Sequence, residues 1–377
     1  MKWQAVCVLF SLLCSAEEVF DAELEKECLA NVMQVTSESM GFVKAGESYF
    51  SPDGESLIFQ AVPIGEKDYQ IYTIHLSSGV LKRVSTGLGA CTCGYYKPDG
   101  SKILFASSHE SPLPKEEKKP VTGKYTWDLT PYMNLYEGDP DGLSLCALTS
   151  GPAYHAECSY SPDGSQIVYA SNEDGHMNLY TCRADGTYAQ QLTFFTGSYN
   201  GGPFFSPDGR WIVFRADRQR KDYLQLYMIR PDGSEEVQLT DNDFVNWSPF
   251  WHPEGKVIAY TTSKHGHGAY EIYLLNIETK AEHRLTHSNS FDGLASFSSD
   301  GKRITWTSKR GGRLSSGIRS RIFSSTSYEV ICEIHHFSSA FNCKDFCPMS
   351  PLRTSNITSD HTIAGRFPSL QSEVGIS

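Results

Sequence analysis

The stretch Ser206-Pro207-Asp208-Gly209, followed by Trp211-Ile212-Val213-Phe214, constrains this chain more than any other, because it is repeated. Near copies stand at Ser51–Gly54, Lys97–Gly100, Ser161–Gly164, His252–Gly255 and Ser298–Gly301. Counted between the acidic residues (Asp53, Asp99, Asp163, Asp208, Glu254, Asp300), the intervals are 46, 64, 45, 46 and 46 residues. A period of this length marks a solenoid, a propeller or an array. In the motif Pro presets φ and Gly supplies the positive φ that reverses the chain, so each copy reads as a tight turn between two strands.

The columns around the turn carry the packing. Three residues before the acid stand Phe50, Tyr96, Tyr160, Phe205, Trp251 and Phe297; four after it stand Leu57, Ile103, Ile167, Ile212, Ile258 and Ile304; six after it stand Phe59, Phe105, Tyr169, Phe214, Tyr260 and Trp306. The last two columns share one face of a strand. A third strand follows at Ile71-Tyr72, Leu135-Tyr136, Leu179-Tyr180, Leu226-Tyr227 and Ile272-Tyr273. A fourth ends in Val84-Ser85, Leu148-Thr149, Leu192-Thr193, Leu239-Thr240 and Leu285-Thr286. Four strands in about 45 residues make a propeller blade. The chain thus reads as all-β, a six-bladed β-propeller over residues 33–312. Only five fourth strands follow a blade, and Val32–Thr36 supplies the sixth from the other end, closing the ring and hiding an edge. Residues 33–36 are then expected to resist hydrogen exchange as the core strands do.

These turns, aromatic columns, I/L-Y strands and L-T ends resemble the TolB-type six-bladed propeller family. The resemblance implies the fold and leaves function open, since function lives in sites. It covers the propeller only: that family's namesake carries an α/β domain ahead of the ring, and here about 16 residues separate a leader from the first strand. The last blade also departs, because its third strand, due near 317–323, loses the repeat columns.

The ends carry their own signals. Residues 1–16 have the charge, apolar run and small residues of a secretory leader, implying a secreted or periplasmic protein. Residues 17–32 read as an acidic helical lead-in with Phe20, Leu24, Cys28 and Val32 on one stripe. Residues 313–377 read as a divergent, disordered tail, a native extension or a misread exon or frame. Cys343 and Cys347 near His335-His336 form at most half a metal site. Asn356-Ile357-Thr358 and Asn246-Trp247-Ser248 are glycosylation sequons. Of 11 cysteines, Cys7 and Cys14 lie in the leader. Cys146, Cys158 and Cys182 are candidates for pairing, and Cys91 and Cys93 read as buried thiols ahead of a metal pair.

Both kinds of tight turn fall at one end of the blades, so the variable loops gather at the other, where binding usually sits. That face carries the His109–Thr130 insertion with Lys115, Lys118 and Lys119, then Arg218, Arg220 and Lys221, then His265 and His267: a basic rim for a partner, or solvated loops. The channel mouth is expected at the column eight before the acid, Ala45, Cys91, His155, Asn200, Asn246 and Asp292, with Glu47 and Glu157 two residues on. A ring of His155, Asn200, Asn246 and Asp292 with the two glutamates suits a ligand or peptide end; alternatively Asn200-Gly201 and Asp292-Gly293 are plain turns.

The net charge of −11 disfavours nucleic acid as a partner. The expected function is a noncatalytic module binding a protein or peptide, or else a carbohydrate or small ligand, with no cofactor. Two enzymatic readings compete. Similar blades precede the hydrolase of the prolyl oligopeptidase family, but no G-x-S-x-G elbow follows here. Oligogalacturonate lyases also resemble this repeat family, but would need histidines converging on the axis as metal ligands, and His176, His265 and His267 fall in outer loops.

Overall fold

A computed structural model describes residues 22–111, 129–288, 290–310 and 328–334. The leader 1–16, Lys115, Lys118, Lys119 and the cysteine pair of the tail lie outside the described residues. The fold is an all-β propeller. Its described strands form six antiparallel four-stranded sheets; five are meanders of consecutive strands from inner to outer, and the sixth takes its outer strand from the N-terminal segment. The inner strands are Phe42–Phe50, Cys91–Tyr96, His155–Tyr160, Asn200–Phe205, Asn246–Trp251 and Asp292–Phe297.

The sequence columns explain the packing. All six aliphatic residues four after the turn acid are 0% exposed, and the aromatics two further on are at most 1% exposed. Each of the first five of those aromatics sits in register with the Tyr of the third strand, as Phe59 with Tyr72 and Phe214 with Tyr227. Ring centroids in these five pairs lie 5.6–6.4 Å apart, so the I/L-Y column is half of a cross-strand aromatic pair. The turn motif is held by its own side chains: Ser206 Oγ donates to Asp208 Oδ1 at 2.6 Å, and Gly209, at φ 70°, donates its N–H to Ser206 O at 2.8 Å.

The Leu-Thr column has an equally local cause. The hydroxyls of Ser85, Thr149, Thr193, Thr240 and Thr286 accept the N–H of Ile71, Leu135, Leu179, Leu226 and Ile272 at 2.9–3.0 Å. That bond pins the outer strand where it leaves the ladder. Thr193→Val should therefore strand a buried amide and lower stability by about 1–3 kcal/mol, readable by thermal denaturation. An unchanged melting temperature would show that the hydroxyl is dispensable.

Adjacent sheets meet at a shared irregularity. Six residues before the acid, the inner strand bulges and the backbone turns to positive φ at Glu47, Cys93, Glu157, Gly202, Ser248 and Leu294, between 52° and 59°. At the bulge the freed N–H turns to a neighbour. Cys93 N–H reaches Gln60 Oε1 at 3.3 Å, Leu294 N–H reaches Thr261 Oγ1 at 3.1 Å, and Glu47 N–H reaches Thr307 Oγ1 at 2.9 Å. The last of these joins the sixth sheet to the first.

The ends of the chain differ from expectation. The lead-in is a short helix, Ala22–Cys28, and the strand that follows is Leu29–Gln34 rather than 32–36. Leu24 and Val32 of the apolar stripe are exposed; Glu25 and Leu29 are the buried residues instead. The strand pairs antiparallel with Tyr328–Ile334, which lies beside the sixth sheet's second strand. A third strand thus exists for the last sheet, inside the stretch read as divergent tail and some ten residues later than the repeat would place it. Its backbone register with Arg303–Ser308 replaces the missing sequence columns.

Candidate functional site

The column expected to ring an open mouth is buried. Ala45, Asn200, Asn246 and Asp292 are 0% exposed, Cys91 1% and His155 2%. All but Ala45 open the inner strands, and the two asparagines turn sideways toward the preceding sheet. Asn200 Nδ2 donates to Met177 O at 2.9 Å, and Asn246 Nδ2 to Gln225 Oε1 at 3.0 Å. Asp292 accepts Trp306 Nε1 at 3.0 Å and Arg310 Nη2 at 2.7 Å. Burial also removes Asn246 as a glycosylation acceptor. Neither Asn200-Gly201 nor Asp292-Gly293 is a plain turn: both lie in strands, and a Cβ at Gly201 would come within 2.4 Å of Glu157 Oε2.

Glu47 and Glu157, on the bulge column, are the residues aimed at the axis. Around Glu157 a charged cluster assembles from three elements. Its Oε2 accepts Arg215 Nη2 at 3.1 Å and Gly202 N–H at 2.5 Å, and its Oε1 accepts the Tyr199 hydroxyl. Arg215 Nη2 also donates to Tyr199 OH at 3.0 Å, and its guanidinium lies 5.9 Å from the Trp247 ring. Gly202 is glycine for lack of room: a Cβ there would sit 1.8 Å from Arg215 Nη1. Glu47 stands nearby, half-buried, accepting from Tyr49 OH at 3.2 Å. Burial, with the charge of Glu157 adding to it against a hydrogen bond from Cys93, pushes the Glu47 carboxyl up to about 7. The same burial drives the Cys93 thiol and the Tyr199 hydroxyl upward, so both are neutral.

Below this cluster the axis is filled. Four residues before the acid, Tyr49, Tyr95, Phe204 and Phe250 converge from four sheets. Tyr49 lies 5.2 Å from Tyr95, 5.6 Å from Phe204 and 5.8 Å from Phe250, centroid to centroid. The other two members of the column are serines that bond across the sheets: Ser159 Oγ donates to Pro203 O at 3.0 Å and Ser296 Oγ to Ser48 O at 2.8 Å. The expected channel is thus floored by rings, with a charged cluster above them.

The rim residues separate. Arg218 is structural: it donates to Asn200 Oδ1 at 2.9 Å, pairs with Glu236 and lies 3.6 Å over Phe195. Arg220 is exposed, 3.7 Å from Asp243 and stacked 3.5 Å over Tyr223, at the edge of a cleft of about 350 Å³ that Asp241 and Asn242 also line. Lys221 and His267 are exposed, and His265 leans on Tyr273 OH at 2.8 Å. The turn face holds a second cleft of about 380 Å³, between Asp53, His75, Tyr96 and Asp99. Among the described residues no three His, Cys, Asp or Glu side chains converge as metal ligands. Cys146, Cys158 and Cys182 are free thiols, as are Cys28, Cys91 and Cys93. No helix of the described residues is long and apolar enough to cross a membrane.

Repeated four-stranded sheets about an axis capped by charge define a β-propeller. Residues 131–267 match the family described as the TolB beta propeller domain. An uncharacterized protein of Agrobacterium fabrum is 35% identical over 88 residues, 23% of this chain and 29% of the relative. The Tol-Pal system protein TolB of Francisella tularensis subsp. mediasiatica is 28% identical over 193 residues, 46% of this chain and 42% of the relative. This chain spans less than half the length of these relatives. The crystal structure of TolB from Acinetobacter baumannii aligns with a TM-score of 0.53 at 16% identity, over 77% of this chain and 63% of that one. These matches support a TolB-like propeller family.

Proposed function

We propose that the chain is a noncatalytic, TolB-like six-bladed propeller, its ring completed by Leu29–Gln34, that works outside the cytoplasm and binds a protein or peptide through its loop face. The observation that carries this reading is the cluster of Glu157, Arg215, Tyr199 and Glu47, set above an aromatic floor. A buried ion pair is weak evidence for stability, and a cluster of buried titratable groups is a candidate functional site. Its neighbours in the reading are the exposed Arg220 and Lys221 on the rim of the same face. Similarity to a Tol-Pal system protein agrees with a protein partner.

Affinity capture and titration of the captured partner test it. Glu47→Lys, which reverses the half-buried carboxylate, should weaken the partner at least about tenfold, as a lost charge-assisted contact does. Arg220→Glu with Lys221→Glu should slow association and flatten or invert its salt dependence. Asp99→Ala, on the turn face, should change neither. Wild-type affinity in Glu47→Lys would remove the axis from the reading. A stoichiometric transition metal in the purified protein would turn it toward a metal-dependent enzyme.

A further inference from the structure

The repeat itself exposes an exception at the junction of the fifth and sixth sheets. The third strand opens with a neutral amide in the first four sheets, at Gln70, Asn134, Asn178 and Gln225. In the fifth it opens with Glu271, fully buried. The residue it faces on the next inner strand is likewise uncharged elsewhere, as Cys91 or Asn246, but is here Asp292, also fully buried. Two carboxylates therefore stand where the repeat has neutral hydrogen-bonding pairs.

A third carboxylate comes from the N-terminal helix. Glu25, 6% exposed, pairs through both oxygens with Arg310, 3.1 Å at Oε2, and accepts His287 N–H at 2.9 Å. Glu271 Oε1 accepts the very next amide, Ser288 N–H, at 2.8 Å, and Arg284 Nη2 at 3.2 Å; its Oε2 accepts Thr286 Oγ1 at 2.5 Å. Arg310 also holds Asp292 at 2.7 Å and lies 5.2 Å over the Trp306 ring. Three buried acids thus share two cations, Arg310 and Arg284. One acid is carried by the segment that continues into Leu29–Gln34. A further tie stands beside them, Cys28 Sγ to His283 Nε2 at 3.0 Å, with Glu27 near both.

We propose that residues 22–34 form a releasable clasp on the propeller, opened when Glu271 ionises beside Asp292 and Glu25. With Glu271 protonated, the two arginines balance two carboxylates and the segment is held. With Glu271 charged, a third negative charge enters the same dry junction and weakens the hold on Glu25. Burial, with Asp292 adding to it, pushes the Glu271 carboxyl up to about 8. An acid whose affinity for its proton is raised on folding stabilises fully below the ordinary glutamate range, and that stabilisation is lost as pH rises through about 8. The clasp therefore holds in acid and loosens toward alkaline pH.

Hydrogen exchange of the Leu29–Gln34 amides, taken as protection relative to the chemical exchange rate, tests the proposal on the full chain. In the wild type, protection there should fall about tenfold between roughly pH 6 and pH 9, one unit of carboxyl shift, while the inner amides of Ile212–Ala216 keep theirs. Glu271→Gln restores the amide the other sheets use and should hold protection flat across that range. Glu25→Gln should lower protection of 29–34 already at the acid end. A flat profile in the wild type, an unchanged fall in Glu271→Gln, or full protection in Glu25→Gln would each overturn it.

Discussion

Replacing Arg215 by methionine should lower the stability of the propeller by about 3–5 kcal/mol, the cost of breaking a buried pair from one side. Both partners are enclosed, with side chains 7% and 6% exposed for Arg215 and Glu157. Glu157 would keep the Gly202 amide and the Tyr199 hydroxyl but lose its cation, and its negative charge would remain in a dry site. Adding Glu157→Gln should return much of the loss, since the charge leaves with its partner. The coupling between the two substitutions is what a double-mutant cycle in chemical denaturation measures. Equal and additive losses, or an Arg215→Met protein as stable as the parent, would show that the pair is not a unit.

Tyr49→Ala should cost a similar amount, about 3–5 kcal/mol for truncating a buried aromatic. Its ring is the common member of contacts to Tyr95, Phe204 and Phe250, so no neighbouring ring fills the gap without leaving its own sheet. The expected product is a void on the axis lined by aromatic faces, large enough to admit a small apolar molecule and to be re-stabilised by one. Tyr49→Phe keeps the ring and loses only the hydrogen bond to Glu47, which is worth about 1 kcal/mol. A melting temperature unmoved by Tyr49→Ala would mean that the floor of rings carries no load.

The repeat was legible because its columns recur at one spacing, and each column maps to a burial or a bond that the sheet imposes. The last sheet's third strand was not, because Tyr328–Ile334 joins by backbone pairing and lacks the I/L-Y dipeptide that marked the others. The lead-in misled for a related reason. Of its stripe of Leu24, Cys28 and Val32, only Cys28 packs against the sheets, and the helix is held as well by Glu25, which pairs with an arginine 285 positions away. Glu47 and Glu157 were found by counting from the turn. Arg215 was missed, because seven residues after the acid the repeat has no fixed chemistry: Gln60, Ala106, Ala170, Arg215, Thr261, Thr307. The available signal was a lone cation inside the otherwise apolar strand Ile212–Ala216. Positive φ along the bulge column was hidden too, since only Gly202 advertises it and two of the six positions are glutamates.

The pairing of Leu29–Gln34 with Tyr328–Ile334 also sets an order of events at the ribosome. The N-terminal strand is made first and its partner nearly 300 residues later, which at about 5–20 residues per second leaves it waiting for some tens of seconds. Every other sheet can assemble from one continuous stretch as it emerges. The last cannot, and its outer edge stays open until both ends of the chain are in hand. A nascent chain halted before residue 328 should therefore hold five assembled sheets beside an unfinished one, and that interval is when a chaperone or a translocating channel would find the N-terminal strand free.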